Sequence, residues 1–148
     1  MRLLLIGMLL LILVIGCKPA DKWTTIDFEE VAKGNHAPSA SDQFAIMINS
    51  VQDWEGLWLN IFKASEVEVS LENVDFSKET VFAVFQGQQS TGGYEVTITN
   101  ISENNNQVRV DVKATSPLPD AVVTSSFTQP YNIVKTKKIT KPASFTWS

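Results

Sequence analysis

Cysteine occurs once, at position 17, so no intrachain disulfide can form and stability has to come from a packed interior. Histidine also occurs once. His36 lies in a stretch with Gly34, Asn35 and Pro38, which reads as an exposed loop, so it is expected to be a solvated side chain. Without a second histidine, His-based metal sites and the Ser–His–Asp arrangement lack parts. GxSxG, HExxH, P-loop and GxGxxG patterns are all missing. The carboxylates are scattered over polar faces, and Ser77-Lys78 sits in a turn with no oxyanion feature beside it. These absences imply a protein that is not an enzyme and holds no metal and no cofactor. An unrecognised carboxylate site is the enzymatic alternative. Basic residues are outnumbered, 12 against 16, and the formal net charge of −4 argues against nucleic acid as a partner.

Long hydrophobic runs are also scarce, and the main one is N-terminal. Arg2 supplies a positive start, and Leu3 to Val14 carries no charge. That run has the length of a secretory h-region and is short for a bilayer span. It leads into Val14-Ile15-Gly16-Cys17, which resembles the lipobox of bacterial lipoproteins. Residues 1–16 are therefore expected to be a lipoprotein signal peptide. Residues 17–22 would be the lipidated Cys17 and a tether, and residues 23–148 a single domain. Acyl chains such as palmitate contribute about 0.8 kcal/mol per buried CH₂, enough in pairs to hold a protein on a membrane without a spanning helix. The expected location is the bacterial cell envelope, anchored through Cys17 and facing the periplasm or the cell surface.

The domain reads as α+β, a mostly antiparallel sheet with one amphipathic helix packed on it. Trp23 to Val31 alternates and predicts a first strand, and Phe44 to Ile48 a short apolar one. Ser50 can cap a helix with Asp53 three residues on. Val51, Trp54, Leu57, Trp58 and Ile61 then form one apolar stripe, expected to be core. Val67, Val69 and Leu71 alternate with glutamates, which predicts a short edge strand. Val81 to Phe85 is uniformly apolar, which predicts a strand covered on both faces. Gly87 to Gly93 reads as a loop, and Tyr94, Val96 and Ile98 alternate, so the two strands are expected to form a central hairpin. Val108 to Val112 should pair back on Tyr94 to Ile101. Ala121 to Phe127 is a further strand candidate between Pro119 and Pro130. Tyr131 to Ile139 follows, and its cluster Lys135, Lys137, Lys138 and Lys141 suggests a charged edge strand, with lipid headgroup contact as the alternative.

The ordered set VDFSKE (74–79), VFAVFQGQ (81–88), STGGYEVTI (90–98), the proline pair 117 and 119, and Pro130-Tyr131-Asn132-Ile133-Val134 resembles the C-terminal domain family of the protease-complex subunit PrcB. The helix WEGLW (54–58) is also like that family. The resemblance implies an accessory lipoprotein domain of a surface or periplasmic protease complex, with a protease or another envelope protein as partner. Ser90-Thr91-Gly92-Gly93-Tyr94 and Gln129-Pro130-Tyr131 are also similar to degraded forms of the paired loops of chagasin-type cysteine-protease inhibitors. The Asn-Pro of the first loop is missing, and Gln129 stands in place of an arginine. The candidate partner-binding loop is therefore Ser90, Thr91, Gly92, Gly93 and Tyr94 with Pro130 and Tyr131. The leading reading is a lipid-anchored accessory binding domain; the alternative is a peptidase inhibitor. A third reading makes the glycines only a turn.

Overall fold

The computed structural model describes residues 22–62 and 74–148. The leader, Cys17, and the edge strand expected at Val67 to Leu71 lie outside the described residues. The strands are β1 (Thr24–Thr25), β2 (Phe28–Gly34), β3 (Phe44–Ile48), β4 (Glu79–Phe85), β5 (Glu95–Glu103), β6 (Val108–Thr115), β7 (Tyr131–Lys137) and β8 (Ala143–Trp147). Helix α1 (Val51–Leu57) continues into a π-helical turn, Trp58–Phe62. The α+β class and the antiparallel bias expected from the sequence are both present.

The strands form two four-stranded sheets rather than one, ordered β1-β5-β6-β8 and β2-β7-β4-β3. All pairings are antiparallel except β6 with β8. The expected central hairpin therefore does not form. β4 pairs with β3 and β7, while β5 pairs with β1 and β6. The reason lies in β4 itself. Its residues Val81 to Phe85 are all fully buried, as their unbroken apolar run requires. Val81, Ala83 and Phe85 point toward the helix, whereas Phe82 and Val84 point toward the other sheet. A strand with two apolar faces needs two covering layers. β5, which is apolar on one face only, supplies part of one layer instead of extending β4's own sheet. The segment between them, residues 86–94, crosses from sheet to sheet.

A second crossing splits the strand expected at Trp23 to Val31. β1 lies in one sheet and β2 in the other. Ile26, between them, is buried and donates its N–H to Ile101 O at 2.8 Å. Asp27 O accepts from Thr136 Oγ1 at 2.7 Å. The seam on this side is further tied by Asn132, 1% exposed in the interior. Its Oδ1 accepts from Ile98 N at 2.9 Å and its Nδ2 donates to Glu30 Oε2 at 3.0 Å. Both partners sit at irregularities, between Ile98 and Asn100 in β5 and between Glu30 and Ala32 in β2. A bulge frees backbone groups from the ladder, and the Asn132 amide satisfies one of them.

The helix follows its sequence signals. Ser50 Oγ accepts from Asp53 N at 3.1 Å, and the two side chains meet at 2.7 Å. Trp54, Leu57 and Ile61 are buried, and Trp58 is half-buried against Phe62 with ring centroids 5.3 Å apart. Val51, at the start of the expected stripe, is 47% exposed. It occupies the first position after the cap, where the helix has only begun to approach the sheet.

The lysine cluster does not mark an edge. β7 lies between β2 and β4, and its lysines pair with carboxylates on β2, β4 and, across the sandwich, β5. Lys135 lies 3.3 Å from Glu79 and 3.5 Å from Glu29. Glu103 receives both Lys137 and Lys141. Lys138 donates to Asn49 O and Phe76 O.

Candidate functional site

Two connections meet at one end of the sandwich: the crossing 86–94 and the segment 116–130 between β6 and β7. The second contains the strand expected at Ala121 to Phe127. That strand is not formed. Pro117, Pro119 and Pro130 remove ladder donors around it, and the run AVVTSSF lacks the alternation that would give it a buried face. Segments of this length without secondary structure are uncommon in compact domains and are usually functional.

Backbone bonds hold the two segments together. Gln89 and Thr128 exchange N–H···O bonds in both directions, at 2.7 and 3.0 Å. Gly92 N donates to Thr124 O at 3.0 Å, and Thr128 Oγ1 donates to Thr91 O at 2.8 Å. Gln86 N reaches Pro130 O at 2.9 Å, and Gln129 N reaches Asn35 O at 2.9 Å. The glycine pair fits this contact. A methyl group on Gly92 would overlap the Thr124 hydroxyl. Gly93 has φ +85°, and a methyl there would lie 2.9 Å from Pro117 Cβ.

Three large apolar side chains of the second segment are exposed. Leu118 is 74% exposed, Phe127 66%, and Val122 fully exposed. Ser90 is exposed beside them and Thr91 half-buried. Tyr94 leaves the loop for a cleft of about 440 Å³ that it lines with Lys33, Gly34, Asn35, Gly93 and Glu95. Across the cleft Lys33 pairs with Glu95 at 2.5 Å and donates to Thr97 Oγ1 at 2.8 Å. Hydrogen bonding from Lys33 holds the Glu95 carboxyl below its ordinary range.

The expected binding residues are thus only partly brought together. Ser90, Thr91 and Gly93 reach the surface, Gly92 is buried against Thr124, and Tyr94 lines the cleft. Pro130 and Tyr131 lie behind this loop and are buried. Tyr131 is 3% exposed, and its ring packs edge-on against Phe62 at 5.0 Å and stacks on Phe85 at 6.2 Å. Burial pushes its hydroxyl pKa up. Val122 and Phe127 are hidden in the sequence because they fall in a β-prone run, Ala121 to Phe127, and Leu118 because it lies between two prolines in a stretch with no other apolar signal. The signal against a strand in that run was the proline spacing. His36 is exposed, as expected, and no group of three or more His, Cys, Asp or Glu suited to a metal ion occurs among the described residues. No helix among them is long and apolar enough to cross a membrane.

Residues 80–137 match the family described as PrcB C-terminal. The resemblance read from the sequence is found over β4 to β7, which includes both loops of the site. The match is consistent with an accessory domain associated with a protease complex. No curated protein and no solved structure matches the chain.

Proposed function

We propose that this protein is a lipid-anchored, non-enzymatic accessory domain of the bacterial envelope that holds a protease-associated partner through the Ser90–Gly93 and 116–130 loops. One observation carries the reading: three large apolar side chains stand exposed on a loop fixed by backbone bonds to its neighbour. Exposed apolar residues gathered on a preorganised segment mark interaction sites. The topology adds a direction. Thr24 pairs with Glu103 at one end of β5, and the loop pair precedes Glu95 at the other. Nine residues at about 3.4 Å each separate the two ends. A chain anchored at Cys17 would therefore present the loops away from its membrane.

The test is co-purification from solubilised envelopes of cells carrying tagged full-length protein. Wild-type protein is expected to bring down a protease-complex component. Val122→Asp with Phe127→Ser should lose that capture at unchanged melting temperature. Unaltered capture by the double variant overturns the assignment of the loop. Cys17→Ser should shift the protein out of the membrane fraction, and an unchanged distribution overturns the anchor.

Inhibition of a protease is the second reading, favoured by the side-by-side placement of the two loops at Gln89 and Thr128. In that case Ser90 to Gly93 would enter the cleft, since Tyr131 is committed to the interior. Dose-dependent inhibition of papain-like or subtilisin-like proteases distinguishes it from capture alone.

A further inference from the structure

The sheet edges are unequally protected. β1 is two residues long, and β2 carries Glu29, Glu30, Lys33 and an irregularity in its register. Short strands, edge charges and bulges all discourage pairing with another chain. β8 has none of these features, and neither has β3 at the fourth edge. β8 reads Ala143-Ser144-Phe145-Thr146-Trp147, with no charge and no proline, and among the described residues only β6 pairs with it.

The direction of its free backbone groups follows from the bonds to β6. Val108 N donates to Pro142 O, Ser148 N donates to Val112 O, and Ala114 N donates to Ser148 O, each at 2.9 Å. In a parallel pair, alternate residues turn both backbone groups to the same neighbour. Even-numbered residues of β8 therefore face β6. Ala143, Phe145 and Trp147 turn their N–H and C=O groups to the open edge. Their side chains face the inter-sheet core and remain partly exposed, with Phe145 edge-on to Phe82 at 6.0 Å. Ser144 and Thr146 point outward and are exposed.

We propose that β8 pairs antiparallel with β8 of a second copy, with the two-fold axis at Phe145, joining two four-stranded sheets into one. The strand is complementary to itself in this register. Phe145 faces Phe145, and Ala143 faces Trp147 of the second copy, so the smallest side chain lies opposite the largest. These residues turn their backbone groups to the open edge, so each such pair exchanges two N–H···O bonds. On the outer face Ser144 meets Thr146 of the second copy, and no like charges approach. An isologous contact of this kind closes at two copies, because it uses the open edge of β8 on both. The contact is small, which places it in the weak, reversible class. It uses neither loop of the partner site and stands apart from the function proposed above.

The register predicts a specific crosslink. Ser144 and Thr146 of the second copy form a non-hydrogen-bonded pair, with Cα atoms about 4.5 Å apart, within the range a disulfide spans. Two full-length chains, Cys17→Ser/Ser144→Cys and Cys17→Ser/Thr146→Cys, each carry a single thiol, since Cys17 is the sole native cysteine. Mixed in detergent and mildly oxidised, they are expected to form the mixed disulfide about tenfold faster than either chain pairs with a Cys17→Ser/Lys113→Cys control. Circular dichroism melting verifies that each variant is folded. A mixed pair that reacts no faster than the control overturns the proposal. So does capture of an unrelated extended peptide at β8 while the protein stays monomeric.

Discussion

Gly93 occupies a backbone region that side chains rarely adopt, and Pro117 closes the space where one would go. Gly93→Ala is therefore expected to lose about 1–2 kcal/mol or more, read as a lower denaturant midpoint. Ser90→Ala, at an exposed position of the same loop, should stay within about 0.5 kcal/mol of wild type. Equal midpoints for the two variants would mean that the loop relaxes around the methyl group. Asn132 makes a different demand. Asn132→Ala leaves Ile98 N–H buried without its acceptor, an expected loss of about 1–3 kcal/mol. Amide exchange at Ile98 checks the cause, because it should accelerate more than exchange at its neighbours. Nothing in the pattern around Asn132 marks it as interior. A polar residue in an alternating strand looks solvent-facing until the opposite sheet supplies its partners.

Helix α1 was legible because its signals are local. The cap at Ser50 and the spacing of Trp54, Leu57 and Ile61 need no knowledge of the sheet. Trp54 is 1% exposed, so Trp54→Ala is expected to cost about 3–5 kcal/mol. Trp58 is only half-buried and should cost less, and chemical denaturation of both variants checks the order. The individual strands β3 to β7 were legible for the same reason, since alternation and apolar runs are local properties. Their partners were not. Tyr94 to Ile98 follows β4 after a glycine-rich turn, and that spacing suits either a hairpin or a crossing. The choice depends on which layers cover β4, a property of the whole chain. The apolar loop residues were hidden similarly. Val122 and Val123 favour strands by composition, but the flanking prolines and the bonds to Gln89 and Gly92 keep that segment out of both sheets.

Across the whole molecule, charge pairing makes stability depend on pH. Glu103 accepts from Lys137 and Lys141, and these hydrogen bonds hold its carboxyl below the ordinary value of 4.5. A carboxylate with a depressed folded-state pKa contributes stability that is fully present above its unfolded value. That contribution is lost as pH falls through the folded one. Melting temperature is therefore expected to fall as the solution is acidified below 4.5. Glu103→Gln should lower the plateau near neutrality and flatten the acid limb. An acid limb identical to wild type would show that other carboxylates carry it.

The position of β4 also sets how the molecule opens. A layer covers each of its faces, with the central strand β7 on one side and the edge strand β3 on the other. Those amides of Val81 to Phe85 that bond to β7 should exchange with solvent only through global unfolding, whereas those that bond to β3 can open with that edge. The slowest of these rates, converted to free energy, should then equal the total stability measured with denaturant, while the amides of β1 and the 116–130 loop exchange through smaller local openings.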